Sequence, residues 1–292
     1  MFQGSFVALV TPMFDSGEVD YASLAQLVDF HIQNKTHGIV AVGTTGESAT
    51  LPFEEHIKVI QFIVECVAGK IPVLAGTGAN STDEAVFLTK QVEKLGVDGF
   101  LSVVPYYNKP QQAGLVAHFT AIASASELPL MLYNVPSRTV VDMKTSTVAI
   151  LSSHPNIVGI KDATGDLNRL AELQSVLPKD FLLFSGDDAT GCAFINKGGH
   201  GVISVTANIA PAQMSAMCEH SLAKQYNEAI AIDNKLQRLH RTLFLEPNPV
   251  LPKWALYKMT KMTSPFLRLP MVLPELNQQI SIEQELKELG LI

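Results

Sequence analysis

Lys161 ends the apolar run Ile157-Val158-Gly159-Ile160-Lys161-Asp162. An ammonium is costly to bury, so a lysine at the mouth of a buried strand is either ion-paired or kept partly neutral as a nucleophile. With an ordinary pKa near 10.4, only about one lysine in 2,500 is neutral at pH 7, and an amine that attacks a carbonyl gains from desolvation or a nearby cation. Two readings follow: a buried pair with a carboxylate such as Asp162, or Schiff-base chemistry. Alternation along a strand puts Gly159 on the face of Lys161, where a missing side chain leaves room for a ligand.

Three other strings carry reactive groups. In Gly43-Thr44-Thr45-Gly46-Glu47, the glycines free the backbone so that N–H groups and two hydroxyls can gather round a small anion such as a carboxylate. The same string also suits a tight turn whose threonines cap a helix. In Pro105-Tyr106-Tyr107-Asn108-Lys109-Pro110, adjacent tyrosines of an extended segment face opposite sides, so one can reach a site while the other faces elsewhere. Tyr133-Asn134-Val135-Pro136-Ser137-Arg138-Thr139 offers a phenol and then a guanidinium; a satisfied buried tyrosine and a solvated arginine are the plainer alternative.

Short runs rich in β-branched residues alternate with amphipathic stretches eight times, the pattern of parallel βα units. The runs lie near Phe6–Leu9, Gly38–Val42, Pro72–Ala75, Gly99–Val103, Leu130–Asn134, Ile157–Lys161, Phe181–Ser185 and Gly201–Val205. Helical patterns follow, among them Tyr21–Asn34, Phe53–Val67, Ser81–Leu95 and Leu167–Leu177. An open doubly wound sheet shares this alternation, but eight units favour closure into an α/β (β/α)8 TIM barrel. In such a barrel the strings above fall at the C-terminal ends of strands two, four, five and six, where working residues collect. After the eighth strand, Ala212–Arg241, Pro252–Met262 and Ile282–Leu289 read as helices separated by the Pro-rich Glu246–Pro252 and by Pro265, Pro270 and Pro274. The expected organisation is a catalytic barrel over residues 1–224 with a C-terminal helical extension over 225–292.

Composition narrows the function. Among 292 residues, 21 Lys+Arg stand against 28 Asp+Glu, for a net charge of -7. With no basic cluster to follow a phosphate backbone, nucleic acid is not an expected partner. No basic stretch with a long apolar region opens the chain, and no run of about 18 apolar residues occurs, so neither a membrane span nor export is expected and the chain is placed in the cytoplasm. Cys66, Cys192 and Cys218 are far apart and form neither a disulfide framework nor a zinc pattern. The histidines form no H-E-x-x-H motif and Asp187-Asp188 reads as a helix cap, so no catalytic metal is predicted.

Taken together, Gly43–Glu47, Tyr133-Asn134-Val135-Pro136 and Gly159-Ile160-Lys161-Asp162 resemble, in order and over essentially the whole chain, the dihydrodipicolinate synthase / N-acetylneuraminate lyase family of pyruvate-dependent class I aldolases. Thr44 and Arg138 resemble the synthase branch, whereas sialate lyases typically carry serine and an apolar residue there. A planar guanidinium suits the carboxylate of an amino-acid aldehyde, while a sugar chain calls for hydroxyl-binding groups. Two alternatives stay open: a lyase or aldolase of the same family acting on sialic acid or a 2-keto-3-deoxy sugar acid, and a non-catalytic barrel that binds a carboxylate.

The resemblance implies that Lys161 forms an imine with pyruvate and needs no cofactor. It implies that L-aspartate 4-semialdehyde is the second substrate, with Tyr133 as acid/base and Thr44 and Tyr107 completing a hydroxyl relay. Thr45 would hold the pyruvate carboxylate and Arg138 that of the semialdehyde, with backbone near Gly186 and Ile203 lining the site. Tyr107 would reach into a neighbouring subunit of a homotetramer built as a dimer of dimers. L-lysine would bind at Ser48, Ala49, His56, Asn80, Glu84 and Tyr106 as an inhibitor, although Phe53 stands where sensitive members often carry histidine. Asn80 and Glu84, spaced i, i+4, are expected to share a helix face.

Overall fold

The computed structural model describes residues 2–292. Eight strands, β1 (Gly4–Ala8), β2 (Gly38–Ala41), β3 (Val73–Gly76), β4 (Gly99–Val103), β5 (Leu130–Asn134), β6 (Ile157–Asp162), β7 (Leu182–Ser185) and β8 (Gly201–Ser204), close into a barrel in chain order. Every neighbouring pair is parallel, including β1 with β8. Between them run α1 (Tyr21–Gln33), α2 (Phe53–Val67), α3 (Thr82–Val92), α4 (Gln112–Ala123), α5 (Pro136–Thr139), α6 (Thr145–Leu151), α7 (Leu167–Val176) and α8 (Asp188–Asn196). This is the expected (β/α)8 TIM barrel. Local chemistry sets several helix starts: Asp20, Asp166 and Asp187 each accept a backbone N–H in the first turn of α1, α7 and α8, satisfying donors that have no intrahelical partner.

Side chains alternate between two layers. Phe6, Ala8, Met131, Tyr133, Leu182 and Phe184 fill the barrel interior, while Val7, Leu132 and Leu183 pack outward beneath the helices. This is the two-residue period of a strand. One extra residue in β6 breaks that period: Leu130 pairs with Ile157 but Met131 with Gly159, leaving Val158 as a bulge. Ile157 and Ile160, three residues apart, consequently both face the outer layer. The bulge reverses the phase of the strand and brings Lys161 into register with inward-facing Tyr133 and Phe184.

Beyond β8 the chain forms α9 (Pro211–Leu222), α10 (Tyr226–Thr242), α11 (Val250–Lys258) and α12 (Leu276–Glu288). The single helix expected over Ala212–Arg241 is therefore two helices. They separate where Lys224 takes a positive φ of 61°, a conformation that ends a helix. α10 packs on α8 and α9, and α12 packs on α10 and α11. The segment from α10 to α11 crosses the rim of the barrel at the C-terminal ends of the strands, because Phe244, Pro247 and Asn248 face the same cavity as Lys161. Among the described residues no helix is long and apolar enough to cross a membrane.

Candidate active site

Thr44, Thr45, Tyr133, Arg138, Lys161 and Gly186 line one cavity of about 400 Å³ at the C-terminal ends of the strands. Lys161 is 5% exposed, and its Nζ lies 4.2 Å from the centroid of the Tyr133 ring. A cation over an aromatic face is attracted by the ring quadrupole, so Tyr133 gives the amine a soft, non-ionic neighbour. The expected alternative of a Lys161–Asp162 pair is absent among the described residues. Asp162 instead binds Arg169 Nε at 2.6 Å, accepts from Asn134 at 3.2 Å and from the Thr164 hydroxyl at 2.5 Å. With that carboxylate committed elsewhere, Lys161 has no ion-pair partner among the described residues.

The two glycines flanking Lys161 in space have different roles. A Cβ on Gly186 would fall 2.8 Å from Lys161 Cε and 2.7 Å from Ala163 Cβ, so Gly186 makes room for the lysine side chain. A Cβ on Gly159 would fall 2.6 Å from the Leu182 carbonyl oxygen and 2.7 Å from Leu182 Cβ. The space at Gly159 is thus taken by the neighbouring strand, which corrects the expectation of room for a ligand there.

The Gly43–Glu47 loop curls on itself: Gly46 and Ser48 donate to the Gly43 carbonyl, and Glu47 to that of Thr44. The N–H groups of Thr44 and Thr45 are left without a partner among the described residues, as an anion-holding turn requires. Glu47 ends the loop at φ 60°, uncommon for a residue with a Cβ. Lys253 of α11, with no solvent exposure, binds Glu47 Oε1 at 2.6 Å, and the Arg268 N–H donates to Oε2 at 3.1 Å. Asn248 donates through Nδ2 to Thr45 Oγ1 at 2.9 Å, and its carbonyl accepts from Arg138 at 3.1 Å. Sequence reasoning missed Asn248 and Lys253. The only signal was an asparagine set between two prolines in a stretch read as a linker.

Tyr107 and Ile203 lie outside this cavity. Tyr107 is 92% exposed and has φ 72°, so the segment is not extended at that residue as expected; Tyr106 and Tyr107 still face different surroundings. No hydrogen bond joins Thr44 to Tyr133 among the described residues. Ile203 packs in the barrel interior, and Val205, two residues on, faces the cavity instead.

A second cavity, of about 370 Å³, shares Thr44, Val135 and Arg138 as a wall with the first. Ser48, Ala49, His56, Glu84 and Tyr106 line it, together with Phe53. Asn80 does not: α3 begins at Thr82 with Ser81 as its cap, so Asn80 precedes the helix and shares no helix face with Glu84. His56 Nε2 lies 2.8 Å from the Gly76 carbonyl, which can only accept, so Nε2 carries the hydrogen and Nδ1 is left as an acceptor. Burial holds His56 below its ordinary value, while burial and then the Glu84 charge raise the Tyr106 phenol. The cavity thus offers a neutral imidazole, a protonated phenol and a carboxylate. Among the described residues no three His, Cys, Asp or Glu side chains converge as a metal site would need.

The model of the dihydrodipicolinate synthetase family matches residues 1–289. The chain is 62% identical over 292 residues to 4-hydroxy-tetrahydrodipicolinate synthase of Pseudoalteromonas atlantica, with 100% of each covered. The chloride-inhibited dihydrodipicolinate synthase of Acinetobacter baumannii, solved in complex with pyruvate, matches with a TM-score of 0.98 at 49% identity over 100% of both chains. The Cyanidioschyzon merolae enzyme, solved with lysine bound, matches with a TM-score of 0.96 at 39% identity over 100% of this chain and 99% of that one. A buried, carboxylate-free lysine at the end of the sixth barrel strand and a family match spanning almost every residue make this chain a member of the dihydrodipicolinate synthetase family.

Proposed function

We propose that this chain condenses pyruvate with L-aspartate 4-semialdehyde, the 4-hydroxy-tetrahydrodipicolinate synthase reaction that leads to diaminopimelate and L-lysine. The observation that carries the reading is Lys161 itself: 5% exposed, against the Tyr133 ring, its neighbouring carboxylate engaged by Arg169. The relatives' activity and the pyruvate complex of the Acinetobacter baumannii enzyme support it.

Lys161 attacks the ketone carbon of pyruvate and water leaves, giving a protonated imine. The imine draws electrons from the methyl group, which loses a proton to form an enamine. The enamine carbon bonds to the aldehyde carbon of the semialdehyde, whose oxygen takes up a proton. The substrate's amine then adds to the imine carbon and Lys161 departs, closing the ring. No cofactor takes part. Tyr133 is the acid/base, with Thr44 and a neighbouring subunit's tyrosine at position 107 relaying protons. Thr45 and the free loop N–H groups hold the pyruvate carboxylate. Arg138, exposed at the cavity rim, takes the semialdehyde carboxylate in a two-point contact.

Tyr107 is exposed and does not line its own cavity; the family resemblance has it complete a neighbouring subunit's site, so we take the active unit as at least a dimer and expect a homotetramer working in the cytoplasm as a barrel over residues 1–224 with a helical extension over 225–292. L-lysine fits the second cavity: Glu84 meets its ammonium, and His56 Nδ1 and the Tyr106 phenol supply further polar contacts. The lysine-bound Cyanidioschyzon merolae enzyme supports that reading.

The test is borohydride trapping with pyruvate followed by mass measurement, beside an assay of condensation with the semialdehyde. The wild-type protein should carry one pyruvate-derived adduct on Lys161 and Lys161→Ala none. An adduct on another lysine, or a wild-type protein without one, refutes the reading.

A further inference from the structure

We propose that Asn248, from the chain beyond the barrel, is a positioning residue that turns the Thr45 hydroxyl hydrogen toward the pyruvate carboxylate. The inference rests on the placing of pyruvate proposed above. A threonine hydroxyl has one hydrogen and two lone pairs. Asn248 Nδ2 donates to Thr45 Oγ1 at 2.9 Å in a buried contact. That bond occupies a lone pair of Thr45 and excludes the direction of Asn248 for its hydrogen. No other side chain or carbonyl among the described residues accepts it. The hydroxyl is therefore set as a donor, beside the free N–H groups of Thr44 and Thr45, and all three suit an anion.

The backbone of Asn248 secures the arrangement. Its carbonyl accepts from the Arg138 guanidinium at 3.1 Å, and the residue is 5% exposed. One residue thereby links the hydroxyl meant for the first substrate's carboxylate to the guanidinium meant for the second's. The side-chain link alone can be cut by substitution, because the carbonyl stays.

Three variants test the assignment: Asn248→Ala, Asn248→Asp and Thr45→Val, with Asn248→Ala/Thr45→Val completing a cycle. Losing one oriented hydrogen bond predicts a rise of about ten-fold in the KM for pyruvate in Asn248→Ala. The KM for the semialdehyde should change less than about two-fold, since the Arg138 contact persists. In Asn248→Asp the new oxygens accept the Thr45 hydrogen and place a negative charge near the anion, so the KM for pyruvate should rise about a hundred-fold. The double variant should be no worse than Thr45→Val alone, as expected for residues acting through one hydroxyl.

Asn248→Asp binding pyruvate as well as or better than Asn248→Ala would overturn the proposal, as would additive losses in the cycle. Thermal unfolding identifies a variant that has lost its fold. Should Asn248→Asp be one, the Asn248→Ala/Thr45→Val cycle decides. A wild-type protein that forms no pyruvate adduct sinks the placing of pyruvate and this inference with it. A wild-type adduct alongside an unchanged pyruvate KM in Asn248→Ala sinks this inference alone.

Discussion

Lys253 Nζ lies 2.6 Å from Glu47 Oε1, and both side chains are sealed from solvent. Burial pushes the Lys253 ammonium below its ordinary value, and the Glu47 charge pulls it back up. Such a pair contributes little net stability against an apolar substitute, but removing one partner strands a buried charge. Lys253→Met is expected to lower unfolding stability by about 3–5 kcal/mol. Lys253→Met/Glu47→Gln should recover most of that loss. Urea denaturation compares the two, and a double variant as unstable as the single one would show that the stranded carboxylate is not the cause.

Gly186→Ala places a methyl group 2.7 Å from Ala163 Cβ and 2.8 Å from Lys161 Cε. The Ala163 contact cannot relax by a rotamer change, so about 1–3 kcal/mol of stability should be lost. The displaced amine should form the pyruvate adduct at least about ten-fold more slowly, since a shift near 1 Å at a reacting group has large kinetic effects. Stopped-time borohydride trapping reads the rate; an unchanged rate would mean that the lysine needs no such clearance.

In the second cavity, Glu84 is the one acidic side chain among the described residues. If L-lysine binds there, Glu84→Gln should raise the concentration of lysine giving half inhibition by about ten-fold or more, the loss of one charge-assisted contact. Turnover without lysine should change little, because the Glu84 carboxylate lies outside the Lys161 cavity. Equal inhibition of both proteins would place the lysine elsewhere.

His31 is buried and its value is lowered by desolvation to about 3; Nδ1 meets the Thr36 hydroxyl at 3.0 Å, and Nε2 has no partner among the described residues. An unfolded chain takes up the histidine proton near 6.5 and the folded chain only near about 3. Between those values the unfolded state holds the extra proton, so stability falls as the pH drops from 6.5 and the loss levels off near 3. The slope is about 1.4 kcal/mol per pH unit for this one group. From pH 7 to pH 5 the wild-type protein should therefore lose about 2 kcal/mol more than His31→Gln, which does not titrate. Chemical denaturation at the two pH values measures the difference, and parallel losses in both proteins would clear His31 of the effect.

The eight strands and their order were legible in the sequence, because short β-branched runs alternating with amphipathic stretches mark parallel βα units. So was the list of reactive strand ends. Less legible was the meaning of Gly159, which serves Leu182 rather than a ligand, since a glycine's neighbours across a sheet depend on register. Asn80 was misplaced because helix starts are set by caps, and Ser81 rather than Asn80 takes that position.

The sequence by itself determined the chemistry on offer: one lysine at the end of an apolar strand, a phenol, two adjacent threonines and an arginine, each in a stretch whose local pattern was sufficient to find it. Tertiary structure alone decided that the Val158 bulge turns Lys161 inward, because the phase of a strand is fixed by its partners' hydrogen bonds. It alone decided that Asn248 meets Thr45 and Lys253 meets Glu47 across more than 200 residues of chain, because contacts of that separation follow from packing and leave no local trace.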